Sequence, residues 1–315
     1  MKTLPHSVTR IQDIAHLAGV SVSTVSRVLN CSGYVKEAVR ERVEQIIAQT
    51  GYTPNAVAKS LKHQATRSIG VIIPKINSFT ASEVVAGISK VLTEQGYNIL
   101  LADVANSLEK ELQALTMFRQ QRVKGVLIMA AEMNVAWQKA VSALHVPVVV
   151  TGQDASHLGI SSVVQAEKTA SAEMLDYLWR CGHRRIAYIG VTQNDVELGI
   201  ARRAGVDAGL AHYGAALLPE CCVISPGFDF IDGSKAVDML LAQMAGQVPS
   251  AIFAVTDRLA IGAMRRLADR NIRVPDEVSV VGMGDIDLAQ LYQPRLTTVH
   301  YNYFATGECA AKALL

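Results

Sequence analysis

The chain has 315 residues, half of them hydrophobic but only 5% aromatic, and a formal net charge of +2. That length implies two domains, the aliphatic content excludes an intrinsically disordered chain, and so small a net charge by itself predicts no nucleic-acid partner. No apolar run approaches the roughly 18 residues of a membrane helix, residues 1–10 lack the apolar core of a signal peptide, and the five cysteines have no CxxC spacing, so a reducing cytoplasm with no membrane, disulfide framework or zinc site is expected.

The charge is unevenly spread. Residues 1–68 hold nine Lys/Arg against four Asp/Glu, a net +5, and the remainder is −3. A small basic head on a mildly acidic body fits either a solvated basic surface or a polyanion-binding module. The pattern inside the head decides. Ile11, Ile14, Ala15 and Ala18 fall at helical spacing with Asp13 in the first turn. Gly19 stops that helix and Val20 plugs the gap behind it. Ser21 caps a second helix over 22–30, with Val25, Val28 and Leu29 on one side and Ser23, Thr24, Ser26 and Arg27 mostly on the other. A short helix, a tight turn and a second short helix with small hydroxyls and one Arg outward make a helix-turn-helix suited to a major groove. A third helix is expected over 36–50 on the stripe Val39, Val43, Ile46 and Ile47, ended by Gly51. Its Arg40 and Arg42 are phosphate contacts or solvated charges. After the break at 52–55, Asn55 can cap one more short segment over 56–62, with Ala58 and Leu61 on one face.

The stretch IQDIAHLAGVSVSTVSRVLN, followed by GYTPNAVAKSL and SIGVIIP, resembles the LacI/GalR family of bacterial transcriptional regulators over essentially the whole chain. The resemblance implies that Val22 and Ser23 set operator preference, and that Thr24, Ser26, Arg27 and Asn30 contact DNA or hold the recognition helix in place. It further implies that the segment from Asn55 through Ala58, Lys59 and Leu61 is a hinge helix that orders on operator DNA as a pair from two subunits. Leu61 would wedge into the central minor groove. A segment that short is not stable alone, so its ordering is a lever that a distant ligand can bias.

From residue 68 short apolar runs alternate with amphipathic helices. Strands are expected over 69–74, 98–102, 125–130, 147–151, 162–165, 186–191, 251–255 and 278–282, with Val299 on a crossover segment. Helices are expected over 80–95, 107–122, 167–181, 198–213, 232–245 and 257–270, and a last one from about residue 304. Strand–helix alternation implies right-handed βαβ units around parallel sheets. The expected organisation is an all-α helix-turn-helix head (1–54), a hinge helix and linker (55–67) and an α/β body (68–315) of two doubly wound lobes. One lobe spans 68–160 plus 291–315 and the other 161–290. The body resembles periplasmic sugar-binding proteins. In the family this region is the effector-binding and dimerisation core, which implies a homodimer. The family pattern also implies a final strand beyond Leu315, and no leucine-heptad tail for a tetramer is seen.

Ligands in open α/β sheets bind beyond the carboxyl ends of the strands, so functional residues should follow each strand. After the first come Lys75 and Phe79, the latter either a stacking surface or a hydrophobic plug. The resemblance implies that Arg202 forks onto a ligand oxygen and that Phe228 stacks on a sugar. Thr256 and Asp257 open the helix after a later strand, with Asp257 as N-cap, ligand contact or both. Asp285 ends the stretch Met283-Gly284-Asp285. Gly152 and Gly284 stand where many relatives carry an acid, which favours an anionic ligand over a neutral monosaccharide. The run GVTQNDVELGIARR with Thr256 and Met283-Gly284 resembles trehalose-type repressors, which implies a sugar-phosphate effector such as trehalose 6-phosphate, with Lys75 as phosphate partner.

Two rival classes fit parts of the sequence less well. A solute-binding or chemosensory protein fits the body alone, but not the helix-turn-helix. An enzyme lacks a catalytic set: there is no GxSxG, P-loop or HExxH, and the eight histidines are scattered. Vicinal Cys221-Cys222 reads as buried or incidental thiols. The expectation is therefore a ligand-controlled DNA-binding regulator of a carbohydrate operon, without enzymatic activity, cofactor or metal.

Overall fold

The computed structural model describes residues 10–29, 32–52, 67–130, 132–192 and 196–315. The chain divides into two compact units, residues 1–66 and 67–315.

The first unit holds α1 (Ile11–Ala18), α2 (Val22–Leu29) and α3 (Glu37–Thr50). The Asp13 carboxylate accepts from the Arg10 N–H at the start of α1, where a negative charge also suits the helix dipole. Gly19 ends α1 at φ 64, a left-handed conformation that glycine adopts without a Cβ clash. Ile14, Ala15, Ala18, Val25, Val28, Val43 and Tyr52 form the core, with Val20 packed against it. The predicted stripes are those that meet there.

In the second unit the described residues form two parallel five-stranded sheets. The first orders β2 (Asn98–Asp103), β1 (Ser68–Ile73), β3 (Val126–Met129), β4 (Val148–Thr151) and β5 (Ser161–Val163). The second orders β7 (Cys222–Ser225), β6 (Ile186–Val191), β8 (Ala251–Ala254), β9 (Ser279–Gly284) and β10 (Thr297–His300). Each sheet adds its second strand (β2, β7) on one side of its first (β1, β6) and all later strands on the other, so each lobe has a switch point of the kind that binds ligands. Near-continuous aliphatic strands such as β1 and β6 fit sheets covered on both faces.

Around the first sheet lie α4 (Phe79–Glu94), α5 (Leu108–Gln120), α6 (Val135–Ser142) and the closing α12 (Tyr303–Leu314). The second carries α7 (Glu167–Arg180), α8 (Arg202–His212), α9 (Phe230–Gln243), α10 (Asp257–Asp269) and the short α11 (Asp287–Leu291). Although α12 is last in sequence, it packs on α4 of the first lobe. The two helices touch at glycines: a Cβ on Gly87 would lie 2.0 Å from the Phe304 carbonyl oxygen, and one on Gly307 2.0 Å from that of Val84. A wide turn, Val196–Ala201, precedes α8.

Three expectations need correction. Val299 lies in β10, whose residue 299 registers with Met283 of β9, because the chain adds a fifth strand to the second sheet before crossing. The lobe boundaries at 160 and 290 shift for the same reason: Ser161–Val163 pairs with β4, and Thr297–His300 with β9. The chain therefore crosses over residues 164–166 and returns over 301–302. Strand β7 and helices α6 and α11 were not anticipated. The expected hinge helix over 56–62 lies outside the described residues.

Candidate functional site

Two sites follow from this architecture, one in each unit. In the head, Ser21 organises the start of α2. Its Oγ accepts from the Thr24 N–H at 3.2 Å and lies 2.7 Å from Ser23 Oγ and 2.9 Å from Thr24 Oγ1. Val25 and Val28 turn into the core, while Val22, Ser23 and Arg27 are exposed and Thr24 and Ser26 half-buried. Five predicted DNA-binding residues thus share one helix, and its solvent face carries Val22, Ser23 and Arg27. Asn30, Asn55, Ala58, Lys59 and Leu61 lie outside the described residues.

In the body, the carboxyl ends of the two sheets surround one cavity of about 290 Å³. The first lobe contributes Lys75 after β1, Thr151, Gly152 and Gln153 at the end of β4, and Gln165 after β5. The second contributes Phe228 and Asp229 before α9, Thr256, Asp257 and Arg258 at the start of α10, and Met283 and Gly284 at the end of β9. Glu167, Arg202 and Tyr303 add further polar groups to the lining. Pockets lined by apolar groups with a few convergent polar ones are the usual form of a small-molecule site.

Of the predicted effector residues, Lys75, Arg202, Phe228, Thr256 and Asp257 line this cavity. Phe79 and Asp285 do not. Phe79 is the first residue of α4 and packs against the hydrophobic core, which is the plug role. Asp285 sits at φ 50 and its Oδ2 lies 2.9 Å from Nδ1 of His300, so its carboxylate is engaged with the end of β10. Gly152 and Gly284 are both on the wall. At Gly152 (φ +81) an added Cβ would meet only open space.

The charges on the wall are paired. Arg202 is 3% exposed and donates from Nε and Nη2 to the two oxygens of Glu167, at 2.7 and 2.9 Å, and from Nη1 to the Val255 carbonyl. Burial works against the guanidinium charge, but Glu167 outweighs it and holds the Arg202 pKa above the ordinary arginine value. Asp257 accepts from the Ile286 N–H at 2.9 Å and from Thr298 Oγ1, and burial still raises its pKa. The Thr256 hydroxyl accepts from the Leu259 N–H, so it caps α10 from the cavity wall. Asp229 accepts from Arg258 at 2.6 Å and lies 3.9 Å from Lys75 Nζ, a contact between the lobes. Both side chains are about half exposed, so this is a loose, solvated ion pair. Thr151 Oγ1 and Arg258 Nε are buried without a protein partner. Such atoms are rare in folded proteins and are satisfied by water or ligand.

Sequence reasoning passed over Gln153, Gln165, Glu167, Asp229 and Arg258. Gln153 and Gln165 stand two residues past their strands, so the strand-end rule reaches them. Asp229 follows β7, a strand that was not anticipated. Glu167 carries no local signal, because an acid in the first turn of a helix is an ordinary dipole partner.

A helix-turn-helix head joined to a two-lobed α/β body with a cleft at the strand ends defines a ligand-responsive DNA-binding regulator. The model for bacterial regulatory proteins of the lacI family matches residues 10–55, and that for the periplasmic binding protein-like domain matches residues 175–315. The chain is 32% identical over 313 residues to the HTH-type transcriptional repressor PurR of Vibrio cholerae, covering 97% of this chain and 90% of that one. It is 31% identical over 304 residues to the sucrose operon repressor of Staphylococcus xylosus, covering 96% and 92%. The solved lac repressor dimer bound to operator and the anti-inducer ONPF superposes with a TM-score of 0.86 at 27% identity, covering 98% and 92%. The chain belongs to the lacI family of DNA-binding repressors, and these relatives are regulators rather than enzymes. No helix among the described residues is long and apolar enough to cross a membrane.

Proposed function

We propose that the chain is a cytoplasmic, homodimeric repressor of a carbohydrate-utilisation operon, and that a sugar or sugar phosphate bound in the cleft controls its operator affinity. Two recognition helices read the half-sites of a near-palindromic operator through Val22, Ser23 and Arg27, with Thr24 and Ser26 in support. The segment containing Asn55, Ala58, Lys59 and Leu61 engages the minor groove between them. The effector shifts the equilibrium between DNA-competent and incompetent states by the usual ~1–3 kcal/mol of coupling.

The observation that carries the effector reading is the wall of the cleft. It is an apolar lining into which Lys75, Arg202 and Arg258 project, and each of its acids, Glu167, Asp229 and Asp257, already has protein partners. A ligand rich in hydroxyl or phosphate oxygens matches those cations and the two buried atoms without partners. Lys75 is the phosphate partner in this reading, and trehalose 6-phosphate is the first compound to try.

The test is a thermal-shift screen against paired compounds, glucose and glucose 6-phosphate, trehalose and trehalose 6-phosphate, with sucrose alongside. Compounds that stabilise the protein are then titrated against its complex with an operator duplex recovered by in vitro selection. At least one should change operator affinity severalfold. If no sugar or sugar phosphate does so, the effector reading fails. If selection recovers no duplex, the operator reading fails with it.

A further inference from the structure

We infer that Tyr301 acts through Glu167 as a positioning residue that ties occupancy of the cleft to the two crossings between the lobes. This rests on the proposal that a cleft ligand controls operator affinity, and it assigns the route by which that ligand acts.

The Glu167 carboxylate is a junction of three parts of the fold. Glu167 opens α7 immediately after the first crossing, residues 164–166. One of its oxygens, Oε2, accepts from Arg202 Nε at 2.7 Å and from the Tyr301 hydroxyl at 2.6 Å. Tyr301 is the first residue of the return crossing, between β10 and α12. Beside the junction, Gln165 of the first crossing donates to Thr306 Oγ1 of α12 at 2.7 Å. The first crossing is thus joined to α12, and the return crossing is joined through Glu167 to the start of α7 and to the cation on the cavity wall.

Arg202 has five N–H groups and uses three on Glu167 and the Val255 carbonyl. A ligand oxygen taking another must draw on the same rigid, planar group. Because Glu167 grips it side-on with both oxygens, a shift of the guanidinium moves the carboxylate too. Glu167 is 6% exposed, so it cannot release Arg202 to water without leaving a buried charge uncompensated. The displacement passes instead through Oε2 to Tyr301 and the return crossing. Tyr301 is buried and is not among the cavity-lining residues, so it does not itself meet the ligand. Its ring also lies against Arg202, with the guanidinium carbon 5.5 Å from the ring centroid. Tyr301→Phe therefore keeps the ring contact and removes only the hydroxyl link.

The experiment measures two constants on the full chain for wild type and Tyr301→Phe. One is the Kd of each compound in the paired sugar and sugar-phosphate panel; the other is operator Kd with and without saturating compound. Tyr301→Phe should bind the compound within about twofold of wild type and bind operator alone within about threefold. The ratio of operator Kd values with and without compound should fall at least severalfold toward unity. Glu167→Gln serves if the Phe variant does not fold; because Glu167 lines the cavity and pairs Arg202, the ratio for this variant is read at a compound concentration saturating for its own Kd, and should fall there too. A purely structural role would lower thermal stability and leave the ratio intact, which overturns the inference. A ratio that falls only in step with compound affinity also overturns it. If no compound moves wild-type operator affinity, the effector reading fails and the inference falls with it.

Discussion

Glu111 is a buried acid whose environment sets a measurable pH dependence. It lies on α5 at 2% exposure, and one carboxylate oxygen accepts from Trp137 Nε1 of α6 at 2.6 Å. Burial raises its pKa to about 7 from an ordinary 4.5, and the Trp137 hydrogen bond offsets only part of that. The folded state therefore holds the proton more tightly than the unfolded chain does. The stabilisation is fully present below pH 4.5, where both states are protonated, and is lost as the pH rises to about 7. Over the window from pH 5 to pH 8 the loss is about 2–3 kcal/mol, at 1.36 kcal/mol per pH unit. Glu111→Gln keeps the shape and an oxygen that can accept from Trp137, and it does not titrate. Urea unfolding of the body, followed by tryptophan fluorescence at several pH values, should show the variant close to wild type near pH 5. At pH 8 it should be about 2–3 kcal/mol more stable than wild type relative to that starting point. Other groups titrate equally in both proteins and cancel in the difference. A difference between variant and wild type that stays constant from pH 5 to pH 8 would refute the reasoning.

Gly307→Ala should destabilise the body by about 1–3 kcal/mol, because the new methyl would overlap the Val84 carbonyl and force α4 and α12 apart; urea midpoints test this. Ser21→Ala removes the cap of α2 and should cost the head about 1 kcal/mol, seen as a lower helical melting transition. Arg27→Ala should weaken operator binding and relax preference at one guanine, by about 1–3 kcal/mol, read by titration against duplexes substituted at each position. Gly152→Asp places a carboxylate in open space, although φ +81 there strains any L side chain. It should lower affinity for a sugar phosphate by about tenfold while changing that for the matched neutral sugar less, as calorimetry with each pair would show.

The head was legible because its signals are local. The cap at Ser21, the stop at Gly19 and the aliphatic stripes all act within a few residues, and each reappears in the folded unit. The lobes were legible from strand–helix alternation, but two features escaped it. Strand β7 has only four residues beside a Cys-Cys pair, and β10 is an edge strand whose Thr-rich sequence carries little apolar signal. Losing β10 moved Val299 and the return crossing, and losing β7 hid Asp229.

The cleft was legible by position and not by pairing. Lys75, Phe228, Thr256 and Asp257 each lie just beyond a strand, and the strand-end rule brings them to one cavity. Asp285 follows β9 directly but is turned away by a left-handed φ, and Phe79, six residues past β1, has already entered a helix. Which charges neutralise one another depends on contacts between residues such as Glu167 and Arg202, 35 positions apart, for which sequence spacing holds no information. That distinction bears on the ligand. Gly152 and Gly284 put no carboxylate on this wall, but three acids stand beside it. All three are already bonded to protein donors, and Lys75, Arg202 and Arg258 are paired with them in turn, so the groups this wall leaves open to a ligand are Thr151 Oγ1 and Arg258 Nε, and a ligand oxygen at Arg258 answers the second.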